Sequence, residues 1–170
     1  MASDHPTCDD RTGGRAPADD RVRAVLDAAR AGFDSAMDFH HLRASRDEVA
    51  LEYVVGEQHL QPYGIVHGGV HCGAIESVCS IGAALDAISR GQSAVGLENH
   101  TSFVRAVRAG TTVTVTARPL TRGRRSQVWE ASAVDAGGRL VATGRVRLLC
   151  LDPGTELAGQ TVPDQRRRER

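Results

Sequence analysis

One helical stretch constrains this chain more than any other. Between Gln61 and Arg90 the sequence reads QPYGIVHGGVHCGAIESVCSIGAALDAISR. Most residues of this stretch are small or aliphatic. Among them is Glu76, whose carboxylate is predicted to be buried. The predicted helix ends near Gly91, where glycine favours a C-terminal cap. Apolar residues recur at helical steps of three and four: Val70, Ala74, Val78, Ile81, Leu85 and Ile88.

Alternating runs surround this helix. The segment EVALEYVVGE predicts a strand from Glu48 to near Gly56, followed by a loop over residues 58–64. After Gly91 come four strand-like runs, separated by the turn sequences RAG, RGR and AGG. Because small residues cover the other helix faces, a sheet can pack closely around them. The order predicts an α+β domain in which a long central helix is wrapped by a curved antiparallel meander.

The two ends of the chain differ in composition from its centre. Residues 1–19 are acidic with Gly and Pro, which predicts a disordered leader, and residues 153–170 are predicted to be a flexible tail. Residues 20–44 are predicted to hold a short helix, with Asp19 or Asp20 as its N-cap, and a connection. The main domain then covers residues 45–152, and a chain of 170 residues suits one such core.

Composition argues against several classes of partner. The 21 basic residues, all Arg, balance 21 acidic ones, so the chain lacks the positive field of a nucleic-acid binder. No run reaches the ~18 apolar residues of a membrane span, and no apolar signal segment begins the chain. We therefore expect a cytoplasmic protein without nucleic-acid, membrane or cofactor partners. The cysteines lack the spacing of a disulfide framework or zinc site: Cys8, Cys72, Cys79 and Cys150.

Two familiar catalytic motifs are missing. His67 and His71 are four residues apart, as in metal-binding helices, but the sequence has no H-E-x-x-H motif, which argues against a metal. It also has no G-x-S-x-G motif, which argues against a serine nucleophile.

Two motifs resemble a known family. VHGGV is followed by an acidic residue nine positions after its histidine, and ENHTSFVRAVRAG lies in the next predicted strand. With the order of elements, they resemble the hotdog-fold acyl-CoA thioesterases of the phenylacetate-degradation (PaaI-like) type, over about residues 45–152. The chain is most similar to the branch acting on aromatic acyl-CoA, such as 4-hydroxybenzoyl-CoA. It departs from the family pattern at Ala106, where proline is common, and at His100, where asparagine is common.

The resemblance implies roles for individual residues. Gln61 corresponds to a loop glutamine six residues before the histidine, and Gly68 to the glycine that opens the helix. Glu76 corresponds to the acidic residue of the aromatic branch, and Ser80 to a hydroxyl residue four positions later. The family also implies an acyl-CoA substrate and a homodimer, commonly with two dimers in a homotetramer.

Thioester chemistry gives these residues physical roles. Free N–H groups at a helix start stabilise the charge on an attacked carbonyl, and Gly68 and Gly69 would let a ligand approach them. The alternative is that both glycines serve only a tight turn. Glu76 is either a nucleophile that forms a mixed anhydride or a general base for water, and the sequence does not choose. The alternative for Glu76 is a structural carboxylate bonded to nearby Ser or His.

Three further residues are candidates for supporting roles. Ser80 lies one turn beyond Glu76 and can hydrogen-bond it or the attacking water, unless it only packs. Gln61 has an amide that can hold the carbonyl or water, unless it is solvated. His67 is a candidate for orienting the substrate or Gln61, although a lone histidine is more often an ordinary hydrogen-bonded residue.

A run of arginines marks the predicted hairpin RPLTRGRR. These side chains are candidates for binding the phosphates of CoA, and a solvated charged turn is the equally weighted alternative. The residues are Arg118, Arg122, Arg124 and Arg125.

The helical spacing limits how a site can be built. Glu76 follows Gly68 by eight residues, which at ~1.5 Å per residue is roughly 12 Å. A two-fold dimer solves this if the helix start and Gln61 of one chain face Glu76 and Ser80 of the other. We expect an acyl-CoA thioesterase. The alternatives are a hotdog-fold dehydratase or hydratase of 3-hydroxyacyl thioesters and a non-catalytic acyl-CoA-binding protein.

Overall fold

The chain begins with two helices on the surface of the domain. The computed structural model describes residues 17–165, with side chains from residue 22 onward. Helix α1 covers Pro17–Ala29 and α2 covers Phe33–Ala36. Because α1 already contains Asp19 and Asp20, the prediction that one of them is the N-cap is wrong. The predicted disordered leader lies outside the described residues, except for its last three residues, which are helical.

A six-stranded antiparallel sheet forms most of the domain, in the order β1-β2-β4-β5-β6-β3. Its strands are β1 His40–Ala44, β2 Val49–Val54, β3 Ser93–Phe103, β4 Thr112–Arg122, β5 Ser126–Asp135 and β6 Leu140–Leu151. Strand β1 falls in the stretch that the sequence assigned to a connection. A long helix wrapped by one antiparallel sheet confirms the predicted fold class.

Strand β3 is not part of a meander with the three strands that follow it. It pairs with β6, from Ser93 opposite Leu151 to Phe103 opposite Ala142, and so forms one edge of the sheet. The predicted four-stranded meander is therefore wrong for β3, although β4, β5 and β6 do pair in sequence order. Alternation predicts a strand but does not specify its neighbour.

Helix α3, Gly68–Ile88, lies against the inner face of the sheet. Its apolar stripe is buried among strand residues such as Val115 and Trp129. The small residues allow this close packing, since a Cβ added at Gly82 would lie 2.4 Å from the Trp129 ring. After the helix, Gly91 has the positive φ of 75° expected at such an end.

Two further predictions need correction. By length and composition alone, α3 is apolar enough to cross a membrane, contrary to the sequence-based prediction, but here it is the core helix of the domain. The predicted C-terminal tail instead holds a hairpin of β7, Glu156–Leu157, and β8, Gln160–Thr161. Val162 beyond it is buried, so this part of the chain packs on the domain. The last five residues lie outside the described range.

Candidate active site at the start and middle of the long helix

The start of α3 leaves one backbone donor without a protein acceptor. His67 is the N-cap, and its ring Nδ1 accepts the N–H of Gly69 at 2.9 Å. The carbonyl of His67 accepts the N–H of Val70 at 2.9 Å. Among the described residues, the N–H of Gly68 donates to no protein group. Gly68 is therefore the donor open to a ligand, whereas the His67 ring occupies the N–H of Gly69.

The hydrogen bond that caps α3 also determines which ring nitrogen of His67 carries the proton. Since Nδ1 accepts a hydrogen bond from Gly69, the neutral ring carries its proton on Nε2. The His67 side chain is exposed, so this second N–H faces outward. His67 can thus donate to a substrate beside the helix start, which is the orienting role predicted for it.

Both glycines at the helix start lie against neighbouring rings. A Cβ on Gly68 would lie 2.6 Å from Cζ of Phe103, and a Cβ on Gly69 would lie 2.9 Å from Nδ1 of His67. Neither contact is possible for a real side chain. The glycine pair therefore does more than permit a tight turn: it lets the Phe103 and His67 rings lie directly on the helix start.

Gln61 belongs to a short loop anchored beside the helix start. Leu60 and Val66 form an isolated bridge, and the N–H of His67 donates to the carbonyl of His59 at 2.8 Å. Gln61 itself closes the loop through a 2.9 Å bond from its N–H to the carbonyl of Ile65. Its half-buried side chain makes no hydrogen bond within the described part of the chain. The loop thus places an uncommitted amide close to His67.

Glu76 lies on the side of α3 that faces β3. It is half-buried rather than buried, contrary to the prediction. Its Oε1 accepts the hydroxyl of Ser80 at 3.2 Å, the i to i+4 contact that the spacing predicted. Its Oε2 accepts Nδ2 of Asn99 at 2.9 Å. The carboxylate is held by neutral donors and remains close to the surface.

No role was predicted for Asn99, although its side chain hydrogen-bonds Glu76. Strand β3 changes register between Gly96 and Glu98, so alternation cannot tell which later residues face the helix. Asn99 faces α3, whereas His100, one of the departures from the family pattern, lines a groove on the outer face of the sheet. That groove has a volume of about 540 Å³. Asn99 is therefore a residue of the site that only the structure identifies.

A second carboxylate of α3 is structural. Asp86 is buried near the end of the helix and accepts Nη1 of Arg90 at 2.6 Å, and it pairs with Arg46 at 3.2 Å. These two cations compensate the buried charge. Asp86 lies ten residues beyond Glu76, on the part of the helix furthest from Gly68.

The arginine hairpin lies at the same far end of α3. Arg118 forms an ion pair with Glu48, and Arg122 donates to Asp47 at 2.7 Å. Arg124 and Arg125 are exposed, and the backbone carbonyl of Arg124 accepts the buried amide of Gln92. Within one chain, the structure does not bring this hairpin to the helix start.

The described residues contain no set of three or more His, Cys, Asp and Glu side chains that could hold a metal ion. His71, four residues after His67, is buried, and its Nδ1 lies 3.2 Å from the Tyr53 hydroxyl. Burial lowers the pKa of His71. Cys72, Cys79 and Cys150 are free thiols, and Cys8 lies outside the described residues.

Comparison with known proteins identifies the family to which this chain belongs. Residues 63–142 match the family model described as the Thioesterase superfamily. The Mycobacterium tuberculosis protein Rv1847, named as an esterase, is 41% identical over 122 residues, which cover 71% of this chain and 86% of that protein. The chain belongs to the Thioesterase superfamily. It is a thioester hydrolase with the hotdog fold.

Other members of the superfamily are similar over the same part of the chain. The solved structure of Rv1847 superposes with a TM-score of 0.69 over 71% of this thioesterase and 96% of that chain, at 42% identity. AziG of S. sahachiroi superposes with a TM-score of 0.69 over 72% and 98%, at 37% identity. The 1,4-dihydroxy-2-naphthoyl-CoA hydrolase of Escherichia coli is 33% identical over 108 residues, which cover 64% of this thioesterase and 76% of that protein.

Thioester hydrolysis needs a donor for the carbonyl oxygen and a group that delivers the attack. In this thioesterase the N–H of Gly68 can supply the donor, and the carboxylate of Glu76 can supply the attacking group or activate water. The two groups lie on the same helix, but Glu76 is eight residues beyond Gly68.

Proposed function

We propose that this thioesterase hydrolyses an acyl-CoA to the free acid and CoA. The N–H of Gly68 holds the thioester carbonyl, with Gln61 beside it, and Glu76 delivers the attack as nucleophile or general base. The observation that carries the proposal is the half-buried Glu76 carboxylate, held near the surface by Ser80 and Asn99. Such a carboxylate is both oriented and reachable.

The helix geometry supports a site shared between two chains. Helix α3 is continuous from Gly68 to Ile88, so the rise from Gly68 to Glu76 is roughly 12 Å. A reacting carbonyl must lie about 3 Å from both its donor and its attacking group. Gly68 of one chain therefore acts with Glu76 of a second copy.

The edge strand β3 supplies the surface for that second copy. It is 11 residues long and is bonded to β6 on one side. Three apolar side chains on this strand or directly after it are each more than half exposed: Leu97, Phe103 and Val104. A long exposed edge strand is a pairing surface. Since Asn99 joins this strand to Glu76, pairing of two β3 strands brings the second chain to the carboxylate.

An aromatic acyl group suits the surroundings of the helix start. Phe103 lies on Gly68, and Phe33 of α2 lies on Gly73, where a Cβ would be 2.4 Å from its ring. Both phenylalanine side chains are more than half exposed in the single chain. The name of the Escherichia coli relative, a hydrolase of a naphthoyl-CoA, supports the same substrate class.

The reaction is tested with a panel of acetyl-, hexanoyl-, palmitoyl- and benzoyl-CoA, following the free thiol colorimetrically. Hydration of crotonyl-CoA is measured in parallel. Thiol release with the fastest rate for benzoyl-CoA is the expected result. Hydration without thiol release would identify a hydratase instead.

Hybrid dimers test the shared site. Chains carrying Gln61→Ala and Glu76→Ala are co-expressed with different tags, and the hybrid is purified through both tags. One of its two sites combines an intact Gln61 with an intact Glu76, so it should recover about half the wild-type activity if the sites are independent. A folded hybrid as inactive as its parents would place the whole site within one chain.

A further inference from the structure

A chain of hydrogen bonds leads from β3 to the carboxylate of Glu76. The hydroxyl of Thr101 donates to Oδ1 of Asn99 at 2.6 Å. Nδ2 of Asn99 donates to Oε2 of Glu76 at 2.9 Å and to the carbonyl of Cys72 at 3.1 Å. Thr101 makes no hydrogen bond to Glu76 itself, so its hydrogen bond acts on the carboxylate through Asn99.

The chemistry of these groups determines which way the Asn99 amide faces. The carbonyl of Cys72 can only accept a hydrogen bond, and so can an ionised carboxylate. Both therefore require the NH₂ side of the amide, whose two hydrogens they use. The carbonyl side of Asn99 then faces Thr101, whose hydroxyl is a donor. A flipped amide would place its oxygen against two acceptors, so the network permits one orientation.

The backbone of β3 also makes room for the carboxylate. A Cβ on Gly96 would lie 2.3 Å from Oε1 of Glu76. Glu76 is thus held by Asn99 at one oxygen, by Ser80 at the other, and by the absence of a side chain at Gly96. The carboxylate cannot rotate without losing one of these hydrogen bonds.

We propose that Asn99 and Thr101 are positioning residues for thioester hydrolysis: Thr101 orients the Asn99 amide, and Asn99 fixes the rotation of the Glu76 carboxylate toward the bound thioester. This inference rests on the proposed role of Glu76. An attacking group held within a narrow range of angles loses less freedom in the transition state. The pair should therefore affect kcat more than KM.

Thr101→Val is the sharpest test, because it keeps the shape of the side chain and removes only the donor to Asn99. With the panel acyl-CoA that gives the highest kcat/KM, kcat should fall about 10-fold while KM stays within about twofold. Thr101→Ser keeps the hydroxyl and should restore most of kcat. The matched control is Thr143→Val, which removes a 3.0 Å hydroxyl bond to the carbonyl of Ala131 elsewhere in the sheet. Its kcat should match the wild type.

Asn99→Asp tests the second link of the chain. It replaces the donor with a carboxylate beside Glu76, and like charges at this distance resist joint ionisation. We expect kcat to fall about 100-fold and the acidic limb of the pH–rate profile to move to higher pH. Urea unfolding of each variant verifies that the enzyme is folded at the assay concentration.

Glu76→Gln is measured in parallel to separate the two proposals. If it is inactive while Thr101→Val and Asn99→Asp keep wild-type kcat and pH profile, the positioning role is wrong and the role of Glu76 stands. If Thr101→Val lowers kcat and Thr101→Ser does not restore it, the hydroxyl is not the cause and the positioning role is also wrong. If Glu76→Gln remains active, both proposals fail.

Discussion

Two carboxylates lie on different sides of α3, and their surroundings differ. Glu76, on the helix, faces β3 and is half-buried, with hydrogen bonds from Ser80 and Asn99. Asp34, on α2, is 6% exposed; it accepts the Ser77 hydroxyl at 2.6 Å and lies 2.9 Å from Nε2 of the buried His41. Each carboxylate has two side-chain partners. Glu76 is the more exposed of the two.

The difference shows why hydrogen bonds alone do not identify a reactive carboxylate. Asp34 links three separate parts of the chain, since Ser77 belongs to α3 and His41 to β1. A charge enclosed in this way ties the N-terminal segment to the helix. Glu76 is bonded to its own helix and to an edge strand. It can change partners at the surface, so we expect Asp34 to determine stability and Glu76 to determine activity.

Replacing each carboxylate by its amide tests this difference between Glu76 and Asp34. Glu76→Gln keeps the shape of the side chain and removes the charge, so kcat should fall at least 100-fold. The free energy of unfolding should change by less than about 0.5 kcal/mol, as for a surface substitution. Steady-state kinetics and urea unfolding measure the two quantities. Near-normal turnover would remove Glu76 from the mechanism.

Asp34→Asn should show the opposite pattern. The amide cannot replace a charged acceptor for both Ser77 and His41, so the free energy of unfolding should fall by about 1–3 kcal/mol. Ser77→Ala, which removes one of the two bonds, should cost less. In both variants kcat per folded molecule should remain within about twofold of the wild type. Loss of turnover without loss of stability in Asp34→Asn would mean that the active site extends to this side of α3.

Much of the fold was predictable because its elements are long and periodic. Helix α3 and the strands β4, β5 and β6 follow directly from the spacing of their apolar residues. Pairing was not predictable for β3, because its partner β6 is determined by the path of the chain around α3. Strand β1 has five residues and a register shift, so its alternation is too short to read.

The site was predictable only where one helix determines the geometry. The Glu76 to Ser80 contact follows from a spacing of four residues on α3. Contacts between elements did not follow: Asn99 reaches Glu76 only because β3 shifts register near Gly96. Likewise, no spacing indicates that the ring of Phe103 lies beside Gly68. Short contacts across elements depend on register and packing, which a single sequence does not specify.

A buried histidine should make the free energy of unfolding depend on pH. His71 is 3% exposed, and burial lowers its pKa below the ordinary value of 6.5. As the pH falls through that value, the unfolded chain takes up a proton that the folded chain does not. The free energy of unfolding therefore decreases on acidification below about pH 6.5, by at most about 1.4 kcal/mol per pH unit for one proton.

His71→Asn keeps an acceptor for the Tyr53 hydroxyl and removes the titrating ring, so unfolding of this variant should depend less on pH between 7 and 5. His100→Asn, in the outer groove, is the matched exposed histidine and should keep the wild-type slope. Urea unfolding at half-unit pH steps gives the slopes, and comparing slopes cancels any uniform loss of stability in either variant. If His71→Asn keeps the full wild-type slope, groups other than His71 cause the acid sensitivity.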